Sequence, residues 1–152
     1  MTANLTEFYG SGTDEDTRLT RSAHGKLEFL RTRELVRRAL TRTAQRVLDV
    51  GGGTGVHARW LAADGHSVHV VDPVPRHVEV AAGIPGVSAE LGDARALTWP
   101  DASADVVLLF GRCTTSSRSG TARWRWPKRC ECSVLAGSCS PRRSAGTCRC
   151  WR

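Results

Sequence analysis

The stretch Val47-Leu48-Asp49-Val50-Gly51-Gly52-Gly53-Thr54-Gly55 carries the residue types and spacing that point most directly to chemistry. An apolar run passes through one aspartate into a glycine turn. Glycines allow a tight turn and let a ligand approach the backbone closely. If a helix follows, its first N–H groups lack intrahelical partners and carry a partial positive charge. Such a site suits a phosphate or the carboxylate of an amino-acid ligand. Asp49, immediately before the turn, favours the second: its charge would repel a pyrophosphate and suit an ammonium group. Two further acids follow, Asp72 after the apolar run Ser67 to Val71, and Asp93 after Val87 to Leu91 and Gly92.

The glycines alone leave a rival open. Read from Gly53, the loop fits a looser dinucleotide fingerprint of Gly53, Gly55 and Ala58, with Asp72 nineteen residues on to hold a ribose. An NAD(P)-dependent oxidoreductase fragment is therefore an alternative, against which Asp49 argues.

The elements needed to position these residues are legible in the pattern. Lys26 to Leu40 has helical spacing, with Phe29, Val36 and Leu40 near one face and arginines on the other. Val47 to Val50 reads as a short buried strand, and Val56 to Ala63 as a helix stopped by Gly65. Ser67 to Val71 is a second strand ending in Asp72. Pro75 to Ala82 is a helix with proline in its first turn, and Val87 to Leu91 a third strand. Ala104 to Phe110 is a continuous apolar run, typical of a strand buried on both faces. Strands alternating with helices predict an α/β fold with a parallel sheet. Trp60 is expected to pack on the sheet, and Trp99 to mark a loop before the fourth strand.

Composition divides the chain. The 152 residues carry 22 basic and 15 acidic side chains. Residues 112 to 152 hold ten Lys/Arg and the single acid Glu131, so residues 1 to 111 net −2. The basic balance thus belongs to the tail, which weakens a non-enzymatic nucleic-acid-binding reading, the second alternative. All six cysteines (Cys113, Cys130, Cys132, Cys139, Cys148 and Cys150) lie in that tail, so the body shows no disulfide framework. Cys130-x-Cys132 and Cys148-x-Cys150 have one-residue gaps where structural zinc sites use two to four. His57, His66, His69 and His77 share no metal-ligand spacing and read as surface or partly buried residues. No metal is expected. The longest apolar run, Val106 to Phe110, is too short to span a bilayer, and no basic-then-apolar leader opens the chain. The expected setting is cytoplasmic, without membrane or nucleic-acid partners.

With these residues in hand, the chain resembles the class I S-adenosylmethionine-dependent methyltransferases over roughly residues 7 to 111. Asp49 to Gly55 looks like that family's first motif, an acid followed by spaced glycines. The resemblance implies that Asp49, Gly51, Gly53 and Gly55 hold the methionine end of S-adenosyl-L-methionine. Asp72, with Pro73 beside it, matches the acid that binds both ribose hydroxyls. Gly92-Asp93-Ala94 looks like the adenine-contacting segment, and Asp105 to Phe110 like the fourth strand. Tyr9 with Asp14-Glu15, then Leu27 to Thr32, resembles the entry helices of one bacterial subgroup, with Tyr9 as part of a cofactor lid. The implied fold is a Rossmann-like, doubly wound parallel sheet of which only the N-terminal half, strand order 3-2-1-4, is encoded in frame. The implied activity is methyl transfer to an unidentified acceptor, expected to be a small molecule. No residue stands out as a general base, and the oligomeric state is not legible.

After Phe110 this grammar stops. The tail is rich in Arg, Ser, Cys, Gly and Trp and lacks Ile, Phe, Tyr, Asp, Asn, Gln, His and Met. Its codons, read back by one base, allow different words. Arg112 to Ser116 allows Pro-Leu-Tyr-His-Leu, Trp124 to Lys128 allows Val-Ala-Leu-Ala-Glu, and Cys132 to Cys139 allows Val-Leu-Arg-Pro-Gly-Gly-Val-Leu. An apolar helix ending in Pro-Gly-Gly is what the resemblance predicts next. The expected organisation is therefore an N-terminal helical entry segment, 1–45, a cofactor-binding half-domain, 46–111, and an out-of-frame, disordered tail, 112–152. No regular strand is expected beside the fourth, and the truncated chain is expected to be inactive or impaired.

Overall fold

In the computed structural model the residues described are 19, 21–40, 43–94, 97, 99–100 and 103–110, with the backbone alone of 133–137 and 148–151. The first helix, α1, covers Ala23–Ala39. Ser22 caps it by accepting from Gly25 N at 2.8 Å, and Arg37 and Arg38 lie in its last turn, where the helix dipole favours cations. Val36 is buried, with Phe29 and Leu40 packed on the same cluster, the face that the spacing predicted.

Strand β1 (Arg46–Val50) leads through the glycine turn into α2 (Val56–Ala63), then β2 (Ser67–Asp72), α3 (Pro75–Ala82) and β3 (Val87–Leu91). Strand β4 (Val106–Leu109) is shorter than the run that announced it. All pairings are parallel, and the order β3-β2-β1-β4 is the predicted one. The chain reverses its direction of travel across the sheet at β1, the place where open α/β sheets form a crevice beyond the strand ends.

The sheet does not end at β4. Strand β5 (Ser133–Gly137) pairs with β4 from Val106↔Ser133 to Leu109↔Ala136, and β6 (Cys148–Trp151) pairs with β5. This corrects the expectation that no regular strand lies beside the fourth. The physical reason is that β4 offers an unsatisfied row of N–H and C=O groups, and Val134-Leu135-Ala136 is the one apolar, strand-compatible run available to fill it. The remainder of the tail, and Asp14-Glu15, lie outside the described residues.

The two sheet faces are covered differently. On one, α1, α2 and α3 bring Val36, Trp60, Leu61 and Ala81 onto Val47, Val68, Val70, Val106 and Leu108. Trp60 thus packs on the sheet, as expected. On the other, Leu48, Val50, Val71 and Val107 are covered by Ala94, Leu97, Trp99, Ala104 and Leu109. Trp99 precedes β4 and holds the end of this cover. Its ring lies against that of His69, 4.4 Å between centres, and its Nε1 donates to Glu90 Oε1 at 2.8 Å. Among the described residues no helix is long and apolar enough to cross a membrane.

Candidate functional site

Parallel strands put the C-terminal ends of β1, β2 and β3 on one edge, so Asp49, the glycine turn, Asp72 and Asp93 gather there. The turn takes positive φ at Gly51 (72°), Gly53 (58°) and Gly55 (82°), the last serving as the left-handed N-cap of α2. These values are strained for a residue with a Cβ. Around Gly51 and Gly53 a Cβ would meet nothing within 4 Å, so the turn presents bare backbone to open space. At Gly52 the need is steric: a Cβ would lie 2.6 Å from Asp49 Oδ2. The loop folds back directly over that carboxylate.

Asp49 is 1% exposed, and its Oδ2 is buried without a hydrogen-bond partner among the described residues. Native structures rarely leave such an atom unmatched, because the desolvation it suffers is not repaid. Burial, and then the charge of Asp72, push the Asp49 carboxyl up to about 7. The group is an acid held under a glycine turn with acceptor capacity to spare.

Asp72 is also buried but already engaged. Its Oδ2 accepts from Gly53 N at 2.9 Å, and its Oδ1 accepts from Val74 N at 3.0 Å. His77 Nδ1 lies 3.0 Å from the same Oδ1. One side chain therefore ties the end of β2 to the glycine turn and to the start of α3. Gly92 N donates to Asp72 O at 3.1 Å, which brings Asp93 and Ala94 to the same edge. Ala94 packs against the core under the sheet, while Pro73 is exposed beside Asp72. The structure thus brings together Asp49, Gly51, Gly53, Gly55, Asp72, Pro73, Asp93 and Ala94. Tyr9 lies outside the described residues.

Sequence reasoning missed two histidines here. His77 stands five residues after Asp72, in the first turn of a proline-led helix, and that spacing was its only signal. His57, in the first turn of α2, is held among Phe29 (5.4 Å between ring centres), Phe110 (4.9 Å) and Trp60, whose Nε1 donates to His57 Nδ1 at 3.3 Å. Burial lowers its pKa to about 4, so the ring is neutral, with its other nitrogen, Nε2, carrying the hydrogen. It lies beside the C-terminal end of β4.

A fold with this crevice and these acids is shared by many nucleotide-cofactor proteins, and comparison with known families decides among them. Residues 47–123, half of the chain, match the family model described as a methyltransferase domain. The chain belongs to the class I S-adenosylmethionine-dependent methyltransferases. This methyltransferase chain is 41% identical over 71 residues to proteins named as uncharacterised methyltransferases of Mycobacterium bovis and Mycobacterium tuberculosis. That match covers 46% of this chain and 29% of the relatives, so the chain spans under a third of their length. A protein of Pyrococcus horikoshii OT3 superposes with TM-score 0.54 at 22% identity, over 70% of this chain and 51% of that one, which shows the shared fold. A putative methyltransferase from an antibiotic biosynthesis pathway of Anabaena variabilis gives TM-score 0.49 at 29% identity, over 53% and 33%.

Proposed function

We propose that the edge formed by β1, β2 and β3 binds S-adenosyl-L-methionine, and that the chain encodes the cofactor half of an enzyme transferring the methyl group to a small-molecule acceptor. The observation that carries this reading is Asp49: a buried acid whose Oδ2 has no hydrogen-bond partner among the described residues and lies against Gly52, between the open backbone of Gly51 and Gly53. The residues fit the group. Asp49 supplies the charge that an ammonium needs, and Gly51 and Gly53 leave room for the amino-acid end to lie against the turn. Asp72 supplies acceptors for ribose hydroxyls, and Asp93 with Ala94 lies where the adenine would follow.

When bound, the cofactor supplies an electrophilic methyl on a sulfonium, and the chemistry is largely its own. The protein's share is alignment. The glycine turn and Asp72 form one tethered unit, so the two ends of the cofactor would be held at a fixed separation, which lowers the entropic barrier to in-line attack. A cytoplasmic setting goes with this reading, supported by a body, residues 1 to 111, without cysteine.

The oxidoreductase alternative is disfavoured by the same atom, since a pyrophosphate over the turn would face the Asp49 carboxylate. Thermal-shift titration with S-adenosylhomocysteine and with NAD separates the two. Stabilisation by S-adenosylhomocysteine and none by NAD is expected; the reverse order would overturn the cofactor assignment.

A further inference from the structure

We propose that His77 occupies the acceptor capacity of Asp72 that a ribose diol requires, and must swing off the carboxylate before the diol can bind. The inference rests on the cofactor reading above and specifies how that site admits its ligand.

Asp72 has few acceptor positions to spare. A carboxylate offers about four, two on each oxygen. Gly53 N takes one on Oδ2, while Val74 N and His77 Nδ1 take both on Oδ1. A carboxylate only accepts, so the Nδ1 of His77 is the donor. One position remains, on Oδ2. A ribose diol brings two O–H donors to the one carboxylate, so one present contact has to yield.

The three contacts are not equally dispensable. The Gly53 and Val74 donors are backbone N–H groups of the glycine turn and of the α3 N-cap, and Val74 is 5% exposed. The buried N–H of Val74 is costly to strip of its acceptor, and neither backbone N–H can move without rebuilding the glycine turn or the start of α3. His77 is a side chain on the first turn of α3 with 16% of its surface exposed. It can rotate and exchange Asp72 for water. His77 is therefore the contact that yields, and it acts as a positioning residue. It braces Asp72, and it sets a cost that only a ligand with both hydroxyls has reason to overcome. A ligand with one ribose hydroxyl needs only the free position on Oδ2 and leaves His77 in place.

The test is calorimetric titration of the full chain, His77→Leu and His77→Gln with S-adenosylhomocysteine and with its deoxyribose analogue, which lacks one hydroxyl. His77→Leu should bind S-adenosylhomocysteine about tenfold more tightly, the value of one charge-assisted hydrogen bond no longer broken. It should bind the deoxyribose analogue no better than the unaltered chain does. His77→Gln keeps a donor near Asp72 and should stay close to the unaltered chain. Nitrogen NMR of labelled histidine in the unaltered chain gives a readout independent of any variant: the His77 ring signals should shift with S-adenosylhomocysteine and not with the deoxyribose analogue. Unchanged or weaker binding by His77→Leu, an equal gain for both ligands, or His77 signals that stay still, would overturn the role of His77 and leave the cofactor reading standing. Absence of S-adenosylhomocysteine binding by all three proteins would overturn the cofactor reading, and this inference with it.

Discussion

The backbone N–H of Gly53 donates to Asp72 Oδ2 at 2.9 Å, and Asp72 in turn holds the start of α3 through Val74 N at 3.0 Å. The acid at the end of β2 is thus a structural tie as well as a candidate ribose ligand. Asp72→Ala should cost both. Two backbone donors lose their partner, at about 1–3 kcal/mol for each that stays buried. S-adenosylhomocysteine binding should weaken by at least about tenfold, one decade being about 1.4 kcal/mol. Denaturant midpoints and titration calorimetry read the two effects separately. A folded Asp72→Ala protein with unchanged affinity would remove Asp72 from the binding site.

Asp49 makes stability depend on pH in an unusual direction for a carboxyl group. Burial, then Asp72, raise it from 3.8 to about 7 in the folded chain. The native state therefore holds a proton that the unfolded state has released. Stability from this group is fully present below 3.8 and is lost as pH rises through about 7. Asp49→Asn should flatten that loss in melting curves collected from pH 5 to pH 8. An ammonium-bearing ligand favours the ionised form, so S-adenosylhomocysteine should release a proton on binding near neutrality, whereas adenosine should not. Calorimetry in buffers of different ionisation enthalpy measures this directly. Equal proton release with both ligands, or none with either, would show that Asp49 does not face the amino-acid end.

Gly55 and Gly53 separate packing from ligand access. Both have positive φ, so alanine at either meets backbone strain of roughly 1–2 kcal/mol. At Gly55 the new Cβ would also lie 2.8 Å from Ile84 Cδ1, and Ile84 is buried. Overpacking adds about 1–3 kcal/mol. Gly55→Ala should therefore lower the thermal midpoint clearly more than Gly53→Ala. Gly53→Ala, whose Cβ projects into open space beside the turn, should lose more S-adenosylhomocysteine affinity than its stability change explains. If the two variants are equal in both measurements, the glycine turn is structural only.

Much of this arrangement is legible in the sequence. The bounds of α2, α3 and β3 match, because Gly65, Pro75 and Gly86 end or begin elements for local backbone reasons that sequence displays. The meeting of Asp49, Asp72 and the glycine turn follows from parallel strand order alone. What sequence does not display are contacts that depend on side-chain direction across elements. His77 reaches Asp72 only because α3 starts three residues beyond it. His57 finds Phe29 and Phe110 only when α1 and β4 flank α2. The pairing of Ser133–Gly137 with β4 was missed for another reason: a run of five residues in a basic, cysteine-rich segment carries no periodicity, and an open sheet edge recruited it.

That pairing bears on the reading frame. The codons for Cys132 to Cys139, read back by one base, allow Val-Leu-Arg-Pro-Gly-Gly-Val-Leu, which in the family resemblance closes a helix before the fifth strand. The observed β5 stands on those same codons, so the two readings place different elements at one point of the chain. In the present reading β5 gives β4 a partner, and the cofactor edge keeps its geometry. Residues 112 to 152, with ten Lys/Arg and one acid, bring little apolar surface to offset the entropy of ordering them. We infer that a base missing near the Gly111 codon separates this chain from a fully packed methyltransferase. A gene with one base inserted there, translated to its new stop, should yield a protein with a sharper melting transition and a larger shift with S-adenosylhomocysteine. Hydrogen exchange should show slower exchange of the β4 amides in that protein. A repaired chain that melts no more sharply, with β4 amides exchanging as fast as before, would show that residues 112 to 152 are read as the fold requires.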